Sequence, residues 1–328
     1  MTIYDVAEAA GVAPSTVSRA FSRPGRVNAE TGQRIVQIAE EMGYRARPQA
    51  RAPQGARTGM LAVVLADVSN PVFYESVRGA GTACEAAGYT LLLAETAESA
   101  VRERATLERV LGSVDALVLN ASRISDSAVR QVAKLKPVVV VNRVVPGVPS
   151  VIVDTARGTF HTVEHLAELG HGSITYLAGP EASWADGMRW RGLRKAGEEL
   201  GMHIRRAGPY DPTVKGGVEA AAEWRTHRAS AVVAYNDVMA VGFMRAAIES
   251  GAQVPADVCV VGFDNTTVSE LVTPALTTVA APLYELGKVA AQNALAIAGG
   301  ARSRSTEPMR LPTRLVVRES TTRTPGGR

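Results

Sequence analysis

The chain has 328 residues, enough for two or three domains. Its hydrophobic content of 46% is ordinary, so a sizeable core is expected, and no apolar run of about 18 residues offers a membrane span. The net charge of +4 is small but unevenly placed: residues 1–58 carry eight arginines against five acidic residues, whereas the remainder is nearly balanced at 28 bases and 27 acids. A basic module on a neutral body is the footprint of a phosphate-backbone contact, although a solvated arginine face would give the same count. The start, MTIYDVAEAAG, has no basic segment leading into an apolar one, so a cytoplasmic protein is expected. Cys84 and Cys259 lie far apart in apolar surroundings and read as buried, reduced thiols. No metal-ligand spacing is present, and neither metal nor cofactor is expected.

TIYDVAEAAG reads as a short helix. Thr2 caps it, Asp5 sits at the third helical position of a capping box, and Gly11 ends it. Ile3, Val6 and Ala10 share one face. Pro14 suits the first turn of a second helix through STVSRAF, with Val17, Ala20 and Phe21 inward. A third helix begins at the N-cap Asn28 and turns Ile35, Ile38, Ala39 and Met42 inward. The first two helices and their glycine turn form a helix-turn-helix, which lays its second helix in the DNA major groove. The exposed positions at that end are Pro14, Ser15, Thr16, Ser18 and Arg19. Arginine suits bidentate reading of guanine, and small hydroxyls suit phosphates or base edges.

The ordered elements D-V-A-x-x-A-G-V, T-V-S-R, R-V-N-A-E-T and M-G-Y resemble the DNA-binding headpiece of the lactose/galactose repressor family. The resemblance puts Pro14, Ser15 and Arg19 at the main base-reading positions and Thr16 and Ser18 on phosphates. It extends the DNA-binding set to Thr2, Arg26, Asn28 and Tyr44. Ala13 departs from the family, which usually has a serine cap there; losing such a cap costs roughly 1 kcal/mol. The next stretch, RARPQARAPQGARTG, is basic and lacks large apolar side chains. In the family this segment forms a hinge helix on DNA, with a leucine wedged into the minor groove. Here Pro53 aligns with that leucine and Pro48 falls inside the helix, where a proline costs about 3 kcal/mol. The expectation is a basic linker, disordered without DNA, with Arg51 and Pro53 still able to meet the minor groove.

From Met60 onward, short apolar runs alternate with helical periods. MLAVVLA, TLLLA, DALVLNA, PVVVVN, SITYLAG, SAVVAY and DVCVVGFD read as strands buried on both faces. The segments between them that begin VFYESVRG, SAVRERAT, GTFHTVEH, DGMRWRGL and DVMAVGFM read as helices. That order predicts two α/β lobes with parallel sheets, strand-end loops facing a shared cleft. The body resembles the type I periplasmic sugar-binding fold. The resemblance implies a headpiece over 1–46, a linker over 47–59, and an effector-binding and dimerisation body over 60–328. Lobe 1 would cover about 60–156 and 282–311, and lobe 2 about 157–281 and 312–328.

Strand ends and loop starts nominate Asp67, Phe73, Tyr74, Arg143, Asp154, Trp184, Arg189, Asn236 and Asp264 as effector contacts, with Arg189, Asn236 and Asp264 the best family matches. Arginine forks onto vicinal hydroxyls, aspartate accepts from them, and tryptophan stacks on a sugar face. Phe73 and Tyr74 can instead serve lobe packing, Trp184 a lid, and Asp237 a helix start. No phosphate loop, nucleophile elbow or metal-binding histidine motif occurs. The resulting expectation is a homodimeric transcriptional regulator, a repressor, that binds a double-stranded, pseudo-palindromic operator under control of a carbohydrate-like effector, with no membrane partner and no enzymatic activity. The alternative is a solute-binding receptor without DNA function.

Overall fold

The computed structural model describes residues 2–22, 26–42, 57–301 and 307–322. The chain divides into two compact units, Met1–Arg57 and Thr58–Arg328. Tyr44, Arg51 and Pro53, and with them the expectations about the hinge, lie outside the described residues.

The first unit holds three helices: α1 (Ile3–Ala9), α2 (Pro14–Ser22) and α3 (Ala29–Glu41). The capping box at α1 is formed. Thr2 Oγ1 accepts from the Asp5 backbone N–H, and the Thr2 N–H donates to Asp5 Oδ2 at 2.7 Å. Asn28 caps α3 by accepting from the Glu30 N–H at 3.0 Å. One small core closes the unit: Val6, Ala7, Ala10, Val17, Ala20, Ile35 and Ala39 are buried, with Ile3, Phe21, Ile38 and Met42 packed around them. Arg34, counted among the basic residues, donates to the Ala10 carbonyl at the end of α1. It therefore ties α3 to an open helix end in addition to adding charge.

The second unit alternates strands and helices: β1 (Met60–Leu65), α4 (Val72–Ala86), β2 (Thr90–Glu95), α5 (Ala100–Val110), β3 (Ala116–Asn120), α6 (Asp126–Leu135), β4 (Val138–Val141), β5 (Ser150–Val153), α7 (Thr155–Glu168), β6 (Ser173–Leu177), α8 (Trp184–Leu200) and β7 (His203–Ala207). It continues through α9 (Val214–Trp224), β8 (Ala231–Ala234), α10 (Asp237–Glu249), β9 (Cys259–Asp264), α11 (Val268–Leu271), β10 (Thr277–Ala280), α12 (Leu283–Ala298), β11 (Met309–Leu311) and β12 (Arg314–Val316). Two sheets result, in the orders β11-β5-β4-β3-β1-β2 and β12-β10-β9-β8-β6-β7. The first is parallel throughout, and in the second only β12 runs antiparallel, against β10. The chain passes between the sheets three times: between β5 and α7, between β10 and α12, and between β11 and β12. α12 packs on α4 and fills the core under the first sheet, so both lobes are built from separated segments. Each central strand is buried on both faces, as the unbroken runs LAVVL, ALVLN, VVVV and CVVGFD require.

Several elements have no reading in the sequence pattern. β7 is an edge strand, HIRRA, whose exposed histidine and arginines conceal its period. α9 contains adjacent glycines, which ordinarily weaken a helix by about 1 kcal/mol each. Their reason is packing: a Cβ on Gly216 would overlap the Asp211 carbonyl oxygen of the preceding loop, one on Gly217 the Met239 carbonyl oxygen of α10, and one on Gly242 of α10 that of Val214. Glycine lets α9 and α10 pack backbone against backbone. Among the described residues, no helix is long and apolar enough to cross a membrane.

Candidate nucleic-acid interface and interlobe site

On α2, Val17 and Ala20 are buried, while Ser15, Ser18 and Arg19 lie exposed on the other side and Pro14 and Thr16 are half-buried. The Ala13 carbonyl accepts the first bonds of α2, from Thr16 N at 2.8 Å and Val17 N at 3.3 Å. Arg26 and Asn28 are exposed before α3. A cationic side chain and small hydroxyls on the outer face of a short helix can read base edges and hold phosphates.

In the second lobe, adjacent strand ends assemble a tight charged group. Arg189, from α8, is buried. It donates to Asp264 Oδ1 at the end of β9 at 2.8 Å and to the Tyr235 carbonyl after β8. Its guanidinium lies 3.8 Å from the Phe263 ring centroid and 4.6 Å from that of Tyr235. Arg189 Nε is buried and has no partner. Asp264 holds a backbone φ of 109°, a region L-residues rarely enter and one that marks functional sites. Burial pushes its carboxyl up to about 6, with Arg189 pulling the other way.

The remaining polar candidates of this lobe, Asn236 and Asp237, bond to the frame. Asn236 caps α10 through the Met239 N–H at 2.9 Å and donates to the Pro212 carbonyl. The cap thus comes from Asn236, one residue before Asp237. Asp237 is itself buried and accepts from Thr266 N, Thr266 Oγ1 and Thr278 Oγ1. Burial and the nearby Asp264 charge raise its carboxyl to about 7 against those hydrogen bonds. Trp184 opens α8 half-buried, next to the cap Ser183, whose hydroxyl lies 3.0 Å from Tyr235 Oη.

The first lobe contributes differently. Phe73 is 6% exposed and packs with Leu65 and Ala66, whereas Tyr74 is 56% exposed. Asp67 accepts from Ser69 N and Ser69 Oγ within its own loop. Arg143 spends its donors on the Ser122 and Ile124 carbonyls and on Asp126, clamping the loop after β3. Asp154 caps α7 at the first crossing, and Thr313 from the third crossing donates to its carbonyl at 2.8 Å. The sequence reading passed over Asn120, Tyr235 and Phe263. Asn120 ends β3, donates to Ser76 Oγ at 3.0 Å and leaves Oδ1 buried without a partner. The strand-end rule that picked Asp67 would have found Asn120. Tyr235 and Phe263 read simply as the apolar ends of buried strands.

Residues 2–47 match the family described as bacterial regulatory proteins, lacI family, and residues 163–321 match the periplasmic binding protein-like domain. The chain is 33% identical to the HTH-type transcriptional regulator DegA of Bacillus subtilis over 331 residues, covering 98% of each chain. Its fold is similar to a Lac repressor dimer bound to operator and the anti-inducer ONPF, with a TM-score of 0.74, 27% identity, and 98% and 99% of the two chains covered. It is similar also to a complex of the transcriptional regulator CelR with cellobiose, with a TM-score of 0.71, 29% identity and the same coverage.

Proposed function

The chain belongs to the lacI family of bacterial regulatory proteins, and we propose that it is a cytoplasmic, dimeric repressor whose hold on a pseudo-palindromic operator is set by a hydroxyl-rich effector between the lobes of its body. A DNA-binding transcriptional regulator of this kind needs two parts. Ser15 and Arg19 read bases on the outer face of α2, with Pro14 beside them. Thr16 and Ser18 hold phosphates, supported by Thr2, Arg26, Asn28 and Tyr44 of the headpiece and by the linker residues Arg51 and Pro53. Operator symmetry is matched by two copies of the chain.

The observation that carries the effector half is a pair of buried polar atoms without partners: the donor Arg189 Nε in one lobe and the acceptor Asn120 Oδ1 in the other. Such atoms are rare in folded proteins, and hydroxyl groups, which donate and accept, complement both. Asp264 accepts from the same ligand, and Trp184 covers its apolar face. Asp67, Phe73, Tyr74, Arg143, Asn236 and Asp154 shape the surrounding loops. The CelR–cellobiose complex supports a carbohydrate as the class. Effector works through its differential affinity for two arrangements of the lobes.

Selection of DNA by the full-length chain from a randomised library tests the first half. A palindromic sequence is expected, and Arg19→Ala should weaken it roughly 5- to 150-fold, the 1–3 kcal/mol of one bidentate base contact. Failure to enrich any two-fold sequence would favour a solute receptor. A thermal-shift panel of D-ribose, cellobiose and cytidine tests the second half, because ligand at 100 times its Kd adds about 2.7 kcal/mol.

A further inference from the structure

Asp115 has no part in the assignments above, yet its carboxylate is committed to two neighbouring backbone groups. It directly precedes β3 and is half-buried at the end of the first sheet where β1, β2 and β3 begin. Its Oδ1 accepts from the Thr58 N–H at 2.8 Å and its Oδ2 from the Gly59 N–H at 2.9 Å. Successive amides converge on an anion where the backbone turns left-handed, and Gly59 holds a φ of 67°. A Cβ there would meet nothing within 4 Å, so this glycine answers to backbone conformation rather than to space. The Gly59 carbonyl accepts from Thr90 N at 2.8 Å, where β2 starts, and the Met60 carbonyl accepts from Asp115 N at 2.8 Å. Thr58 Oγ1 takes the Met60 N–H at 3.3 Å. Burial pushes the Asp115 carboxyl up, but the Thr58 and Gly59 amides outweigh it and hold the group below its ordinary value.

This clamp lies at the opposite end of the strands from the effector candidates, and its place along the chain gives it a different task. Of the linker expected over 47–59, the last two residues are bound into the body, which begins at Thr58. The basic stretch before them is joined directly to the residue pair that one carboxylate holds. We propose that Asp115 is a positioning residue for DNA recognition: it fixes the point at which the linker leaves the body, and so sets the half-site spacing that two copies of the chain accept. The length involved is large enough to matter. Two residues released from the clamp add up to about 7 Å of reach per chain. Two chains together gain about 14 Å, roughly four base pairs at about 3.4 Å each. A tether discriminates between spacings only while its length is close to the span, so a longer one accepts wider operators. This role rests on the dimeric operator-binding reading above.

Full-length chain and a spacing series built on the selected operator test it. The half-sites are kept, and the centre is shortened or lengthened by up to three base pairs. The unchanged chain should favour one spacing, with affinity falling roughly 10-fold or more at two base pairs beyond it. Asp115→Ala should cut that penalty to about 3-fold or less and leave affinity for a single half-site unchanged. Without DNA, the same variant should speed amide hydrogen exchange across Thr58 and Gly59 by roughly 10-fold or more. Asp115→Asn keeps one acceptor oxygen; it should fall between, and it carries the test if Asp115→Ala fails to fold. Two residues inserted after Arg57 lengthen the linker with Asp115 in place and should reproduce the broadened profile. The role is overturned by unchanged exchange, by a spacing profile that stays sharp in the Asp115 variants or the insertion, or by an equal loss of affinity at every spacing and on the single half-site. A selection that yields no two-fold operator sinks the dimeric reading and this role with it, whereas a two-fold operator with an unchanged spacing profile counts against Asp115 alone.

Discussion

Asp237 and Asp264 sit in the same lobe, and both carboxyls are buried and raised, to about 7 and about 6. An unfolded aspartate releases its proton near pH 4, so between that point and the folded value the native state binds protons the unfolded chain has lost. Stability should therefore fall as pH rises from about 4, up to about 6 for Asp264 and about 7 for Asp237, by up to about 1.4 kcal/mol per pH unit for each group within its window. Asp237→Asn can keep its bonds to Thr266 and Thr278 while removing the titration. Denaturant midpoints taken from pH 5 to pH 8 should show a flatter profile in that variant, and an unchanged slope would place the effect elsewhere. Arg189 offers a sharper contrast. Removing it leaves Asp264 buried beside Asp237 without its cation, and Arg189→Ala should cost about 3–5 kcal/mol. Replacing both members, Arg189→Met with Asp264→Leu, should cost less than the single change in urea unfolding, because no uncompensated charge remains.

At the scale of elements, glycine pairs decide where helices approach. Gly217 on α9 meets the Met239 carbonyl of α10, so Gly217→Ala gains helix propensity but drives a methyl into backbone. The clash should prevail, at about 1–3 kcal/mol. A stabilised variant in thermal unfolding would show that the helices part freely. The same contact explains in part why α9 was not legible in the sequence: its glycines argue against a helix locally, and Gly217 is explained by α10 whereas Gly216 lies against the Asp211 backbone of the preceding loop. The strands were legible for the opposite reason. Buried parallel strands are apolar on both faces, so each central strand announces itself as an unbroken run.

For the whole molecule, the arginine excess of residues 1–58 makes a quantitative demand on DNA binding. Operator affinity should fall steeply with salt, and neutralising an arginine that touches phosphate should reduce the log–log slope by about 1. Arg26→Gln is expected to do this, whereas Arg19→Ala should chiefly relax base preference; equal slope changes in both would put Arg19 on phosphate. Filter binding across a salt series separates the two outcomes.

By itself, the sequence determined the architecture and the family. Helix caps at Thr2 and Asn28, the turn at Gly11 and the alternation of apolar strands with amphipathic helices are local signals, read over a few residues. The 33% identity to DegA bears out the resemblance those motifs carried. The partners of the polar residues at the strand ends are decided only in three dimensions. By position alone, Asp67, Arg143, Asn236 and Asp264 are each a polar residue at or just after a strand end, and only the family resemblance sets Asn236 and Asp264 apart. Folded, Asn236 becomes a cap, Arg143 a loop clamp and Asp67 a turn, while Asp264 meets an arginine 75 residues away. Which donors reach a side chain depends on what other segments bring to it. That also left Tyr235 unnoticed, because its carbonyl meets Arg189 and its hydroxyl meets Ser183 only once β8 and α8 are brought together.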